Sequence, residues 1–232
     1  MGQMVSRNSL TQSSNTSVNI EQGIIDRVAI SLLEWGERNQ FFYPWRSSTD
    51  PYRIFIAEVL LKRTTVKAAE RVYNEFINKY PDFESIYRAT DLETTLAPIG
   101  LSIQRAKLLH LASAYIIEKY GGRLPDNRRS LLEIPGIGEY IADAILCFAY
   151  GKPVVPVDSN VTRVISRVFG FKTPKYSIHY YTAKLLSAID INKCRTLSWA
   201  LIDLGRVICR PVIPLCSNCP LRDYCLFVKN KQ

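Results

Sequence analysis

Residues 131–145 read LLEIPGIGEYIADAI. Apolar residues at helical spacing stop at Pro135-Gly136 and resume after Gly138. That pattern predicts a short helix, a tight turn and a second helix. The glycines give the turn backbone conformations closed to other residues and leave nothing between the backbone and a ligand. The amides around Gly136, Ile137, Gly138 and Tyr140 then lie at a helix start. Free N–H groups and the helix dipole attract an anion there, and a DNA phosphate is a natural one. The plainer reading is an ordinary helix-turn-helix connection with glycine present for steric reasons.

Twenty residues beyond Gly138 comes Val157-Asp158-Ser159-Asn160, and a new helix carrying Arg163 and Arg167 follows. Asp158 suits an N-cap, where its carboxylate accepts a backbone N–H. Beside a cleft, the same carboxylate would also stabilise developing positive charge, and the two roles can coexist.

Six cysteines are present. Cys209, Cys216, Cys219 and Cys225 form one cluster, C-x6-C-x2-C-x5-C, whose four thiolates can converge on one metal centre. Zinc sites usually show two close Cys pairs, and here only Cys216 and Cys219 make one. The longer outer arms suit the larger cubane of a [4Fe–4S] cluster, with zinc as the alternative. Cys147 and Cys194 lie in apolar helical surroundings and read as buried structural thiols.

The remainder reads as helix. An apolar stripe of Ile24, Ile25, Val28, Leu32 and Leu33 is followed by helical patterns near 53–62, 66–80, 102–119, 138–150, 159–169, 178–190 and 196–208. Pro and Gly turn signals separate them. Only residues 153–157 look extended, and their two prolines make a poor strand. The expected fold is all-α. Twelve of the first twenty residues are Ser, Thr, Asn or Gln, which predicts a disordered polar tail over 1–20.

The 232 residues carry 30 Lys+Arg against 21 Asp+Glu, a net charge of +9. A basic surface attracts polyanions, nucleic acid foremost. No apolar run approaches the roughly 18 residues of a transmembrane helix, and no secretory signal opens the chain. An intracellular, cytoplasmic protein without a membrane partner is therefore expected.

Taken together, LLEIPGIGEYIADAI, VDSNVTRVISR and the cysteine cluster resemble the helix–hairpin–helix DNA glycosylases with an iron–sulfur cluster. That family includes endonuclease III, the adenine glycosylase acting opposite oxidised guanine, and the thymine/uracil mismatch glycosylase. The resemblance covers residues 24–225. It implies a six-helix lobe over 44–152 with the hairpin, and a second helical lobe over 21–43 and 153–232 with an iron–sulfur loop at 204–225. It makes Asp158 the catalytic carboxylate for hydrolysis of a base–sugar bond after base flipping, and Asn160 a DNA-binding neighbour.

Endonuclease III-like enzymes have a Schiff-base Lys where this chain has Tyr140. A phenol cannot form that adduct, so the resemblance implies a monofunctional enzyme with little or no lyase activity. Tyr140 and the segment IAEVLLKRTT (56–65) resemble the mismatch glycosylases. By that resemblance Glu58 contacts the flipped base, Arg63 beside Lys62 fills the gap in the stack, and Trp199 wedges on the guanine side. Without it, Glu58 would read as a surface acid, Lys62-Arg63 as a solvated face and Trp199 as core. Residues 41–46, FFYPWR, look like packing.

The expected partner is double-stranded DNA with a G·T or G·U mismatch. The protein would act as a monomer and pass its product to a downstream AP endonuclease. The chain ends seven residues after Cys225, leaving no room for the extra domain of an adenine glycosylase. Adenine or an oxidised pyrimidine as substrate, and a non-catalytic DNA-binding role, remain the alternatives.

Overall fold

Short polar residues cap several of the helix starts. The computed structural model describes residues 8–171 and 175–230, and for residues 8–20 and 175 the backbone alone. Every regular element among the described residues is helical, so the fold is all-α. By Cα proximity the chain divides into two compact units, Gln40–Asp158 and a second made of Met1–Asn39 with Ser159–Gln232. No helix among the described residues is long and apolar enough to cross a membrane.

The Gln40–Asp158 unit holds helices α2 (Pro51–Leu61), α3 (Val66–Lys79), α4 (Phe83–Arg88), α5 (Leu92–Leu96), α6 (Ser102–Tyr120), α7 (Arg128–Glu133) and α8 (Glu139–Phe148). Seven helices stand where six were expected, and α5 is little more than one turn. The sidechain of Asp50 accepts from the Tyr52 amide and Thr65 from the Ala68 amide, while Asp82 and Ser85 form a capping box. Each such cap contributes about 1 kcal/mol. Helix α2 is buried on nearly every side: Ile54, Phe55, Ile56, Ala57, Val59 and Leu60 are all at most 3% exposed. It packs on α3 and α8, which carries the residue after the hairpin into the core.

The second unit holds α1 (Asn8–Arg38), α9 (Ser159–Phe169), α10 (Lys175–Ser187), α11 (Cys194–Val207) and α12 (Leu226–Lys229). Of the stripe read in the sequence, Ile25, Val28 and Leu32 are buried and Ile24 and Leu33 half-buried; Ala29 is buried beside them, and α1 packs on α10 and α11. Gly36 permits that packing, because a Cβ there would stand 2.7 Å from the Ala200 Cβ. Cys147 and Cys194 are buried, as expected.

The polar tail differs from expectation. Residues 1–7 lie outside the described residues, but from Asn8 the backbone is already helical. Ser, Thr and Asn disfavour a helix by only about 0.5 kcal/mol per residue, and here they extend one that apolar packing holds further along.

Candidate active site and metal centre

Glu58 is 7% exposed, because it projects from a helix buried all round. It is not the surface acid that its amphipathic-helix alternative required. A carboxylate out of water must be neutralised or partnered. Its partner is the Tyr140 hydroxyl, which donates a hydrogen bond to it. Burial pushes the Glu58 carboxyl up to about 7, and the Asp158 charge pushes the same way. The Tyr140 bond and the Arg46 guanidinium oppose them. Burial, reinforced by Glu58 and Asp158, also holds the Tyr140 phenol well above its usual range. The structure thus brings together all three residues expected to carry catalysis, each from a separate segment of one unit: α2, the first turn of α8, and the end of the 149–158 stretch.

Arg46 was read as packing in the sequence and belongs with this group. It sits in a short 3-10 turn, Pro44–Ser47, beside a stacked aromatic series in which the Phe41–Tyr43 centroids are 6.4 Å apart and the Tyr43–Trp45 centroids 5.1 Å. Its guanidinium lies over the Tyr43 ring at 5.0 Å and donates to the Phe41 carbonyl at 3.3 Å. The signal that could have found it was an arginine inside an otherwise aromatic run, where a charge needs an anion nearby.

At the hairpin, Gly136 has φ +84°, and a Cβ there would stand 2.5 Å from Leu108 Cγ. Conformation and space both require glycine at that point. Gly138 is the N-cap of α8 and supplies no side-chain cap, so the first-turn amides point outward from an exposed turn. Ile137 departs from its expected role. Its amide donates to the Ile134 carbonyl at 3.1 Å, and its side chain is 5% exposed. It anchors the turn in the core, while Gly136 and Gly138 form the outer edge.

Lys62 and Arg63 follow the last residue of α2 and are exposed. Arg63 has φ 55° and Leu101 φ 53°, the two non-glycine residues with positive φ among those described. A left-handed L-residue costs about 1–2 kcal/mol. The loop after α2 therefore holds Arg63 in strain, at a place where glycine is the usual occupant.

In the second unit, Asn160 is half-buried in the first turn of α9, and its Oδ1 accepts from Arg163 at 2.7 Å. Arg163 also donates to the Cys209 and Gly205 carbonyls, both at 2.7 Å. Trp199 is half-buried on α11 with Arg195 over its ring at 5.9 Å. Three arginines lie near or in the cysteine loop: Arg206 is paired with Asp203 at 3.2 Å, and Arg210 and Arg222 are exposed.

Cys209, Cys216, Cys219 and Cys225 line one hollow that is partly open to solvent. Val168, Leu204 and Leu221 form part of its apolar wall. Burial pushes the Cys219 thiol up to about 11 and raises Cys225 as well. Such thiols ionise only when a cation compensates them. Among the described residues, no three His, Cys, Asp or Glu groups come together tightly enough to hold a single metal ion. Four cysteines lining one apolar hollow supply the donor set that an iron–sulfur cluster requires. Arg167 supports the rim, donating to the Arg210 carbonyl at 2.7 Å and the Pro211 carbonyl at 2.8 Å.

Residues 56–187 match the family described as HhH-GPD superfamily base excision DNA repair protein. The chain is 35% identical to a thymine-DNA glycosylase of Aeropyrum pernix over 91% of its own length and 98% of that protein's. It is 38% identical to a thymine/uracil-DNA glycosylase of Methanothermobacter thermautotrophicus, over 85% and 91% respectively. Among solved structures, that of a thermostable thymine-DNA glycosylase superposes with a TM-score of 0.85 at 32% identity, covering 92% of this chain and 99% of the other.

Proposed function

The chain belongs to the HhH-GPD superfamily of base excision DNA repair proteins, and on that premise we propose that it is a DNA glycosylase that hydrolyses the bond joining thymine or uracil to deoxyribose where the base is mispaired with guanine. Such pairs arise when 5-methylcytosine or cytosine loses its amino group. A weakly paired base also costs less to flip from the duplex, which favours it as a substrate. The observation that carries the reading is the grouping of Glu58, Tyr140 and Asp158 in one unit, with a phenol rather than an amine on α8.

The chemistry follows from that grouping. As the base departs, positive charge develops on the sugar, and the Asp158 carboxylate stabilises it and orients the attacking water. Glu58, whose carboxyl is raised to about 7, retains its proton in part of the molecules at neutral pH and can then donate a hydrogen bond to a carbonyl of the flipped pyrimidine, while Tyr140 walls the pocket. With no amine at position 140 to form a Schiff base, water is the nucleophile and an abasic site the product. A downstream AP endonuclease consumes that product.

The outer edge of the hairpin at Gly136 and Gly138 holds a phosphate. Arg63 enters the stack vacated by the base, and Trp199 and Asn160 face the DNA from the second unit. Cys209, Cys216, Cys219 and Cys225 hold a [4Fe–4S] cluster, which supplies a structural tie for the loop that carries Arg210. The protein works as a monomer inside the cell.

Single-turnover excision on G·T, G·U, A·8-oxoguanine and thymine-glycol duplexes tests the substrate. Release from G·T and G·U alone is expected, and equal cleavage of A·8-oxoguanine would refute the assignment. Asp158→Asn is expected to bind duplex normally while losing about 10²–10³-fold in excision. An unchanged rate would mean that Asp158 is not the catalytic carboxylate, and no excision by wild-type protein from any of the four duplexes would leave only a DNA-binding protein.

A further inference from the structure

Helix α7 carries the chain into the hairpin with little packing to hold it. It has six residues, and Leu131 is its one buried side chain. A helix of that length is far below what stands alone in water. Asn127 caps its start, accepting from the Ser130 amide at 2.9 Å. Beyond that cap, an ion pair fastens each end of α7 to a different neighbour.

At its first residue, Arg128 Nε donates to Asp143 Oδ1 on α8 at 2.8 Å. The Asp143 side chain is 4% exposed, so this carboxylate is taken out of water, whereas its arginine partner is 43% exposed. At the last residue, Glu133 Oε2 accepts from Lys119 Nζ on α6 at 2.5 Å. Lys119 lies over the rings of Tyr115 and Tyr120, at 5.3 and 5.6 Å, and donates to the Tyr115 hydroxyl at 2.9 Å. Glu133 leads directly into Ile134-Pro135-Gly136, the turn whose outer edge is Gly136 and Gly138.

Stability is a weak reason for either pair. Exposed pairs add little of it, and a buried pair adds no more than apolar side chains of the same volume. Hydrogen-bonded charges add direction instead. The two pairs hold α7 to two different helices, so its tilt is fixed from both ends.

We propose that Arg128–Asp143 and Lys119–Glu133 are positioning pairs that fix the tilt of α7, and so hold the outer edge of the hairpin in the orientation that takes a DNA phosphate. The proposal rests on the DNA glycosylase reading above.

The test is affinity for a fully paired duplex across a KCl series. Asp143→Asn and Glu133→Gln each remove one negative charge, which by charge alone would tighten binding to DNA. The proposal requires the reverse. Glu133→Gln is expected to weaken binding about three- to fivefold, and Asp143→Asn about tenfold. The plot of log K against log [KCl] should become shallower by about 0.9, the share of one phosphate. Glu133→Gln should excise uracil from G·U at the wild-type rate once DNA is saturated with protein, because α7 lies outside the Glu58, Tyr140 and Asp158 group. Lys119→Glu combined with Glu133→Lys restores the pair with its poles exchanged and should recover most of the lost affinity.

Glu133 is exposed, so Glu133→Gln decides the matter if Asp143→Asn does not fold. The proposal is overturned if Glu133→Gln binds as tightly as wild-type protein or more tightly. A lower melting temperature with an unchanged salt slope also overturns it, since the pairs would then only hold the fold. Wild-type protein that binds duplex but excises nothing from G·U fails the glycosylase reading alone. Wild-type protein that binds no duplex overturns both.

Discussion

The Tyr140 hydroxyl donates a hydrogen bond to the buried Glu58 carboxylate, and burial still lifts Glu58 from its ordinary 4.5 to about 7. Between those values the folded protein holds a proton that the unfolded chain releases. The stabilisation from that proton is complete below about pH 4.5 and is lost as pH rises toward 7. Wild-type protein should therefore lose on the order of 1–3 kcal/mol relative to Glu58→Gln between pH 4.5 and 8. Thermal melts of both proteins across that range check it, and parallel curves would refute it. Tyr140→Phe removes a donor that favours the ionised carboxylate, so it should move the window to higher pH.

Tyr140→Lys places an amine beside Glu58 and Asp158. The variant should form a borohydride-trappable adduct with DNA that the wild-type protein does not form. Denaturing electrophoresis of the trapped complex reads it directly. No adduct from a folded variant would mean that position 140 does not reach the sugar.

The four cysteines of the second unit should act together. The purified protein should be brown, absorb broadly near 400 nm and carry roughly four irons per chain. Cys216→Ser or Cys219→Ser should lose the colour and lower the melting temperature by several degrees, because a buried metal centre contributes directly to folding. Zinc in place of iron, measured by elemental analysis, would reverse the assignment.

Strain at Arg63 separates stability from activity. Arg63→Gly should stabilise the protein by about 1 kcal/mol, since glycine takes φ 55° without steric cost. The same change should slow excision from G·T. A lower melting temperature would mean that the Arg63 side chain itself holds the loop.

Periodicity made the long helices legible: Val66–Lys79, Ser102–Tyr120 and Ser159–Phe169 lie within a residue or so of where apolar spacing placed them. The hairpin was legible because glycine has few other reasons to recur at that spacing. The helices Phe83–Arg88 and Leu92–Leu96 are too short to show a period; a capping box defines the first, and the second carries no side-chain cap. What the sequence hid depends on partners distant along the chain. Arg105 looks like any helix-surface cation until the carbonyls of Val59, Lys62 and Gly100 surround it. Ile137 looked like part of a phosphate-binding turn because spacing does not reveal which amide the turn itself consumes.

Helix α1 packs against α10 and α11, segments made long after it, while the whole Gln40–Asp158 unit is synthesised between them. At roughly 5–20 residues per second, the apolar stripe of α1 waits roughly ten to thirty seconds for its partners to leave the ribosome. The intervening unit has all its own helices available before then and can fold first. The cysteine loop follows α11, so it is the last segment to join a scaffold that α1 and α11 already hold together.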